Sequence, residues 1–280
     1  MNMNGFFPID LDENLVSLFI HKPYNFIRNA PSLEEQEQTL ELIPKETGFH
    51  FEHLITPQQV HWNTIACIDE TNLHEQFANT DGLITQLKGV ALGTRVADCQ
   101  GILLYDPEHQ VIGNIHSGWR GTLQRIGSHA VQIMKENYHT QPQNLKVYLS
   151  PSIHQCCFEI WEEVKQKFEK EFSEIPFDDL LKKGDFKEEQ KYYLDLIALN
   201  RRVLNNLWIP EENISASELC SCCHKETIHS YRGDKETTGR NLCLMMIKKS
   251  WGNTGESMKI SENIEELIRI KSENYWEYLL

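Results

Sequence analysis

The sequence has no apolar run approaching the roughly 20 residues that span a bilayer. It also lacks a basic leader with an apolar stretch behind it, opening instead Met1-Asn2-Met3-Asn4-Gly5-Phe6-Phe7-Pro8. No membrane partner is expected, and the reading is a cytoplasmic protein. Basic residues are scarce: 27 Lys and Arg stand against 41 Asp and Glu, a net charge of -14. Nucleic acid is not expected as a partner, because binding a polyanion relies on clustered Lys and Arg. A small anion in a local basic pocket stays open. There is no internal repeat and no low-complexity segment. In a cytoplasmic setting the eight cysteines (67, 99, 156, 157, 220, 222, 223, 243) do not read as a disulfide framework. Buried thiols, metal ligands or catalytic groups are the alternatives.

The 280 residues are ample for a sizeable core, in one large domain or two small ones. Strands are expected at Leu15–Ile20, Leu83–Thr85, Val90–Val96, Ile102–Tyr105, Val111–His116 and Lys146–Leu149, with Asp106-Pro107 turning the middle pair. A helix is expected from Thr122, with Leu123, Ile126, Ala130, Ile133 and Met134 on one face. Phe158, Trp161, Val164, Phe168 and Phe172 outline a second helix, and the charged stretch 173–191 reads as a surface excursion. Asp195 suits the cap of a third helix through Leu196, Leu199, Val203 and Leu207. Further helices are expected to start at Ser32 and, in the tail, from Ser261. The tail helix is expected to dock on its own domain or on a dimer mate. Strands and helices mix without strict alternation, which favours α+β over a doubly wound sheet.

The chemistry concentrates where Val96-Ala97-Asp98-Cys99 meets Asn114-Ile115-His116-Ser117-Gly118-Trp119-Arg120-Gly121. Cys99 and His116 flank a strand-turn-strand pattern, and Gln59-Val60-His61 offers a second imidazole. Three protein ligands with one open position is the build of a catalytic zinc site. A Cys99 nucleophile with a histidine base is the competing reading. Asp98 would either accept a hydrogen bond from a ligand histidine or cap the following turn. The Ser117–Gly121 turn with Arg120 suits an anion such as phosphate, or else simply a tight turn. Tyr231, Arg232, Gly239 and Arg240 form a polar loop that either binds phosphate, ribose and base or makes surface salt bridges. Cys220-Ser221-Cys222-Cys223-His224 matches no ordinary zinc-finger half, so buried thiols are expected there. A second metal is the alternative, should Cys156-Cys157 approach it in space.

The motifs Gln59-Val60-His61, Asp81-Gly82, Ala97-Asp98-Cys99, Asp106-Pro107 and His116–Gly121 closely resemble the YfiH-like family. So do Ser150–Ile153, Cys156–Glu159, Leu194–Leu196, Asn200-Arg201, Cys220, Ser230–Arg232 and Thr238–Arg240. This family is labelled laccase-domain or polyphenol oxidase in some usage and purine nucleoside phosphorylase in other. The resemblance runs over roughly 59–248. Trp62, Val96 and Gly233 stand where the family carries glycine, threonine and arginine. The resemblance implies a single compact α+β domain with layered mixed β-sheets flanked by helices. It places that domain at 1–248, leaving 249–280 as a C-terminal extension with an amphipathic helix. It implies zinc on His61, Cys99 and His116, and Arg120, Arg232 and Arg240 toward substrate or phosphate. It implies purine nucleoside phosphorolysis and adenosine deamination, with a homodimer possible. The older reading of the family is copper-dependent oxidation of phenols.

Overall fold

The strands at the centre of the molecule are buried at every position, not at alternate ones. The computed structural model describes residues 5–26, 43–45, 47–184, 191–235 and 238–249. In chain order the strands are β1 (Phe6–Pro8), β2 (Leu15–Ile20), β3 (His53–Ile55), β4 (Ile65–Ile68), β5 (Gly82–Thr85), β6 (Val90–Val96) and β7 (Gln100–Asp106). There follow β8 (Val111–Ser117), β9 (Lys146–Leu149), β10 (Glu159–Trp161), β11 (Leu181–Lys183), β12 (Lys191–Leu194), β13 (Ile214–Ala216) and β14 (Asn241–Ile247). They make a five-stranded sheet in the order β1-β2-β14-β6-β3, a six-stranded sheet β13-β9-β7-β8-β5-β4, and a small sheet β10-β12-β11. Both large sheets are mixed: β3 runs parallel to β6 in the first, β4 parallel to β5 and β13 parallel to β9 in the second, and the other pairings are antiparallel. This is the layered α+β fold expected from the sequence.

β7 and β8 form a hairpin with Gln100 opposite Ser117 and Asp106 opposite Val111. Asp106 closes it. Its carboxylate accepts from the backbone N–H of Glu108 at 2.9 Å and of His109 at 3.2 Å, the local bonding that favours Asp in turns. Successive side chains of a strand point to opposite faces, and here both faces are covered. Leu103, Tyr105 and Ile112 pack with Leu92, Cys243 and Met245 between the two large sheets. Ile102, Leu104, Val111 and Ile115 pack against Ile126, Ala130 and Met134 of the helix Ile126–Tyr138. Asn114 ties the layers together. Its Nδ2 donates to the carbonyls of Leu92 and Cys243, and its Oδ1 accepts from Thr94 at 2.6 Å. Leu103 is wholly buried, so Leu103→Ala should cost about 2–5 kcal/mol. Urea unfolding should show this as a lower midpoint at unchanged slope; an unshifted midpoint would mean that the site collapses around the alanine.

Three local expectations change. The helix from Thr122 is two helices, Trp119–Leu123 and Ile126–Tyr138. Between them Arg125 takes a left-handed φ of 56°, which no helix continues through, while its guanidinium pairs with Glu171 at 2.6 Å and Glu174 at 2.9 Å. The helix expected over 158–172 begins only at Glu162, because Glu159–Trp161 pairs with β12. The charged excursion contains β11 and leads into β12. The third helix stands as expected at Leu196–Asn205, with the Asp195 carboxylate accepting from the Ala198 N–H at 2.9 Å. The helix starts expected at Ser32 and Ser261 lie outside the described residues, as does nearly all of the 249–280 extension. No helix among the described residues is long and apolar enough to cross a membrane.

Candidate metal centre

Val96 ends β6 in one large sheet and Gln100 opens β7 in the other. The three residues between carry the chain from layer to layer, and Cys99 is the last of them. Asp98 takes the turn with a left-handed φ of 77°, a conformation that Asp tolerates better than most residues. His116 sits near the end of the neighbouring β8, buried. His61 lies in the loop between β3 and β4, also left-handed at φ 63°. One donor atom from each of His61, Cys99 and His116 falls within 4.8 Å of the others. The two imidazoles meet edge to face, with centroids 4.7 Å apart. Gly118 keeps the space open, since a Cβ there would stand 2.9 Å from Cys99 Sγ and 3.1 Å from His61 Cδ2.

A residue with no role among the sequence expectations organises this cluster. The Asp81 carboxylate is completely buried and accepts from the backbone N–H groups of Val60 (3.1 Å), His61 (2.9 Å) and Trp62 (2.9 Å). The left-handed turn at His61 curls three successive N–H groups around one anion, the geometry of a backbone nest. The same carboxylate accepts from His116 Nδ1 at 2.7 Å, leaving Nε2 toward Cys99. Burial opposes ionisation of Asp81, but the bonds from His116 and from the loop N–H groups outweigh it and hold the carboxyl below its ordinary range. The one signal in the sequence was the Asp81-Gly82 pair ahead of an apolar strand.

Asp98 is therefore not the acceptor for a ligand histidine, and that expectation is corrected. Its Oδ1 accepts from Ser221 and Ser230, both at 2.6 Å, and its Oδ2 accepts from the Arg232 N–H at 2.6 Å. It anchors the 220–232 loop instead. The predicted arginines also separate. Arg232 spends its guanidinium on the carbonyls of Cys157 (2.9 Å) and Glu159 (3.3 Å), and Arg240 on those of Gly239 (2.8 Å) and Thr238 (3.3 Å). Arg120 is exposed and lies over the Trp119 ring at 4.1 Å, with no ion pair of its own among the described residues.

Burial opposes a thiolate at Cys99, but the charge on His116 and hydrogen bonds from both histidines outweigh it and bring the thiol down to about 6. Burial likewise opposes a charged His116, yet the Cys99 thiolate and the Asp81 carboxylate raise it to about 9. Between those values the metal-free pair is thiolate and imidazolium. In chelator-stripped protein, iodoacetamide should therefore alkylate Cys99 with a rate that rises through about pH 6. An ordinary thiol titrates at about 8.5. Peptide mapping against Cys99→Ala follows this residue alone, and a midpoint near the ordinary value would show that the pair does not form.

Residues 32–248 match the family described as multi-copper polyphenol oxidoreductase laccase. Adenosine deaminase RL5, from an unknown prokaryotic organism, is 33% identical over 207 residues, which are 71% of this chain and 77% of that protein. Purine nucleoside phosphorylase YlmD of Geobacillus stearothermophilus is 31% identical over 211 residues, 73% of this chain and 76% of its own. Among solved structures, hypothetical protein YfiH of Bacillus licheniformis superposes with a TM-score of 0.79 at 21% identity, covering 88% of this chain and 97% of that one. The G. stearothermophilus YlmD structure gives 0.77 at 24% identity, over 89% of this chain and 98% of that one. These two likenesses are of fold.

Proposed function

The chain belongs to the multi-copper polyphenol oxidoreductase laccase family, and from that premise we propose that it is a zinc-dependent purine nucleoside enzyme. The reactions are phosphorolysis of adenosine, inosine, guanosine and methylthioadenosine, and deamination of adenosine. The names of the two relatives above support the substrate class. The observation that carries the reading is the His61, Cys99 and His116 cluster with His116 held through Nδ1 by Asp81. Two imidazoles and one thiolate are a zinc donor set, and three protein ligands leave a fourth position open. Zinc held there supplies Lewis acidity that draws the pKa of water to about 7.

The chain's own residues do the rest. Asp81 fixes the His116 tautomer by keeping the proton on Nδ1. Arg120 is exposed and has no ion pair among the described residues, which supports assigning it to phosphate. Arg232 and Arg240 hold backbone carbonyls, and their part in this reading is to fix the loops that carry them. Trp62 and Tyr231 are 56% and 66% exposed and offer rings to a purine base. In phosphorolysis a phosphate oxygen bonds to the ribose C1′ as the bond to the base breaks, and the base takes up a proton.

Copper is the second reading, because two histidines and a cysteine also form a copper set. Blue-copper centres add a weak axial methionine. The described Met134, Met245 and Met246 are all packed in hydrophobic clusters.

Incubation with adenosine, with and without phosphate, tests the proposal once inosine, adenine and ribose-1-phosphate are resolved. Inosine is expected in both arms, and the other two products only with phosphate. Arg120→Ala should raise the phosphate concentration needed by about ten- to a hundredfold and leave inosine formation unchanged. Phenol oxidation by copper-loaded protein with none of the three nucleoside products would overturn the reading.

A further inference from the structure

A second donor set lies outside the site just described. Cys156 and Cys157 follow the Ser150–Ile153 turn, and Cys220 and Cys223 follow β13. All four are free thiols whose Sγ atoms lie within 4.8 Å of one another. Cys223 stands 3.6 Å from Cys156 and 3.5 Å from Cys157. Disulfide sulfurs sit about 2.05 Å apart. Four thiolates bonded at about 2.3 Å to one tetrahedral ion stand roughly 3.8 Å apart. The spacing therefore suits four ligands around one centre. The expectation that this run matches no zinc-finger half is corrected: Cys220 and Cys223 alone carry a two-residue spacing, and the adjacent pair from elsewhere in the chain completes the four. The sequence expectation of buried thiols does not describe this cluster, because Cys156 and Cys223 are exposed.

We propose that Cys156, Cys157, Cys220 and Cys223 bind one zinc ion as a closed, structural tetrathiolate site. Four protein ligands leave no open position, so this ion does no chemistry on substrate. Without a cation, four sulfurs this close would crowd one another as thiolates. A divalent ion reverses that crowding, because thiolate is its ligand. The ion staples two loops that converge on the first centre. Ser152 and Cys220 form a β-bridge, and the Ser221 N–H donates to the Ser152 carbonyl at 2.9 Å. Ser221 also holds Asp98, the residue before Cys99. Arg232 closes the circuit, bonding Asp98 through its backbone and the Cys157 carbonyl through its side chain. The proposal goes beyond the nucleoside reading, and its test reads metal rather than turnover.

The test uses the full chain prepared with zinc as the only added metal. Zinc per chain is measured by elemental analysis, and the ligand shell by X-ray absorption at the zinc edge. Cys99→Ala disrupts the first centre and should keep about one zinc per chain in an all-sulfur shell at about 2.3 Å. Adding Cys156→Ser and Cys223→Ser should remove that zinc. Cys99→Ala protein that holds no zinc, or holds it in a shell containing nitrogen, overturns the proposal. Wild-type protein guards against misfolding of the variants. Its zinc shell should be mostly sulfur, averaged over two ions, and a shell with one sulfur per zinc also overturns the proposal.

Discussion

Cys99→Ala is expected to lower purine nucleoside turnover by roughly a thousandfold, a metal being worth several kcal/mol in its transition state and each 1.36 kcal/mol a factor of ten. The effect should fall on chemistry and not on folding. Cys99 ends a crossover between layers, is only half-buried, and makes no contact in the hydrophobic clusters. Urea unfolding should therefore still show a single cooperative transition, its midpoint lowered only by what the lost metal and the lost thiolate–imidazolium pair contribute. Two arms separate a metal ligand from a cysteine nucleophile with a histidine base. Chelator-treated wild type should lose activity and regain it with zinc. Activity that survives the chelator but not the substitution belongs to the nucleophile. Turnover within tenfold of wild type in Cys99→Ala would remove the cluster from the reaction altogether.

Asp81→Asn carries the second large effect, on both metal affinity and stability. The carboxylate accepts four N–H groups, from Val60, His61, Trp62 and His116. An amide of the same shape has one acceptor oxygen and turns an NH₂ toward the remaining donors. Metal affinity should fall about ten- to a hundredfold, as when the partner of a ligand histidine is lost. Stability of the metal-free protein should fall by about 3 kcal/mol, the range for breaking a buried charge-assisted network. The sign with pH follows from the depressed carboxyl. Its contribution is complete above the ordinary value of about 3.9 and is lost as pH falls through the lower native value. The gap between wild type and variant, read from urea unfolding, should therefore narrow at acid pH. A gap of constant size from neutral to acid would show that the carboxylate charge does not carry the bond network.

The strands were legible because buried strands advertise themselves. Val90–Val96 and Lys146–Leu149 fall as expected, and the hairpin only gains a residue or two at its ends. The helix capped by Asp195 was legible for the same local reason. The helix expected over 158–172 was not, because Trp161 serves a strand while keeping helical spacing with Val164 and Phe168, so periodicity alone cannot place the boundary. The metal-binding candidates came from motif order, but the partner of His116 did not. Asp81 acts through a nest formed by a left-handed turn twenty residues upstream, and no local pattern reports such a closure. Asp98 misled for the same reason. It neighbours Cys99 in sequence, yet its turn aims the carboxylate at a loop more than 120 residues away. The four-cysteine cluster joins residues 66 and 67 positions apart, so only the fold shows that the two halves meet.

The place of β14 in the first sheet has a consequence for synthesis. It lies between β2 and β6, with Leu244 opposite Leu18 on one side and Gly93 on the other. A ribosome releases β2 and β6 long before it reaches Asn241. Until Ile247 has cleared the exit tunnel, neither strand has its neighbour on that side, and Leu18 must wait for a partner 226 positions later. The second sheet, whose β7–β8 hairpin is contiguous, can assemble first. The nascent chain thus carries two open apolar edges for most of its translation, which is the state in which strands pair with the wrong chain. Chains broken off before Asn241 are expected to be substrates for chaperones and proteases rather than smaller folded proteins.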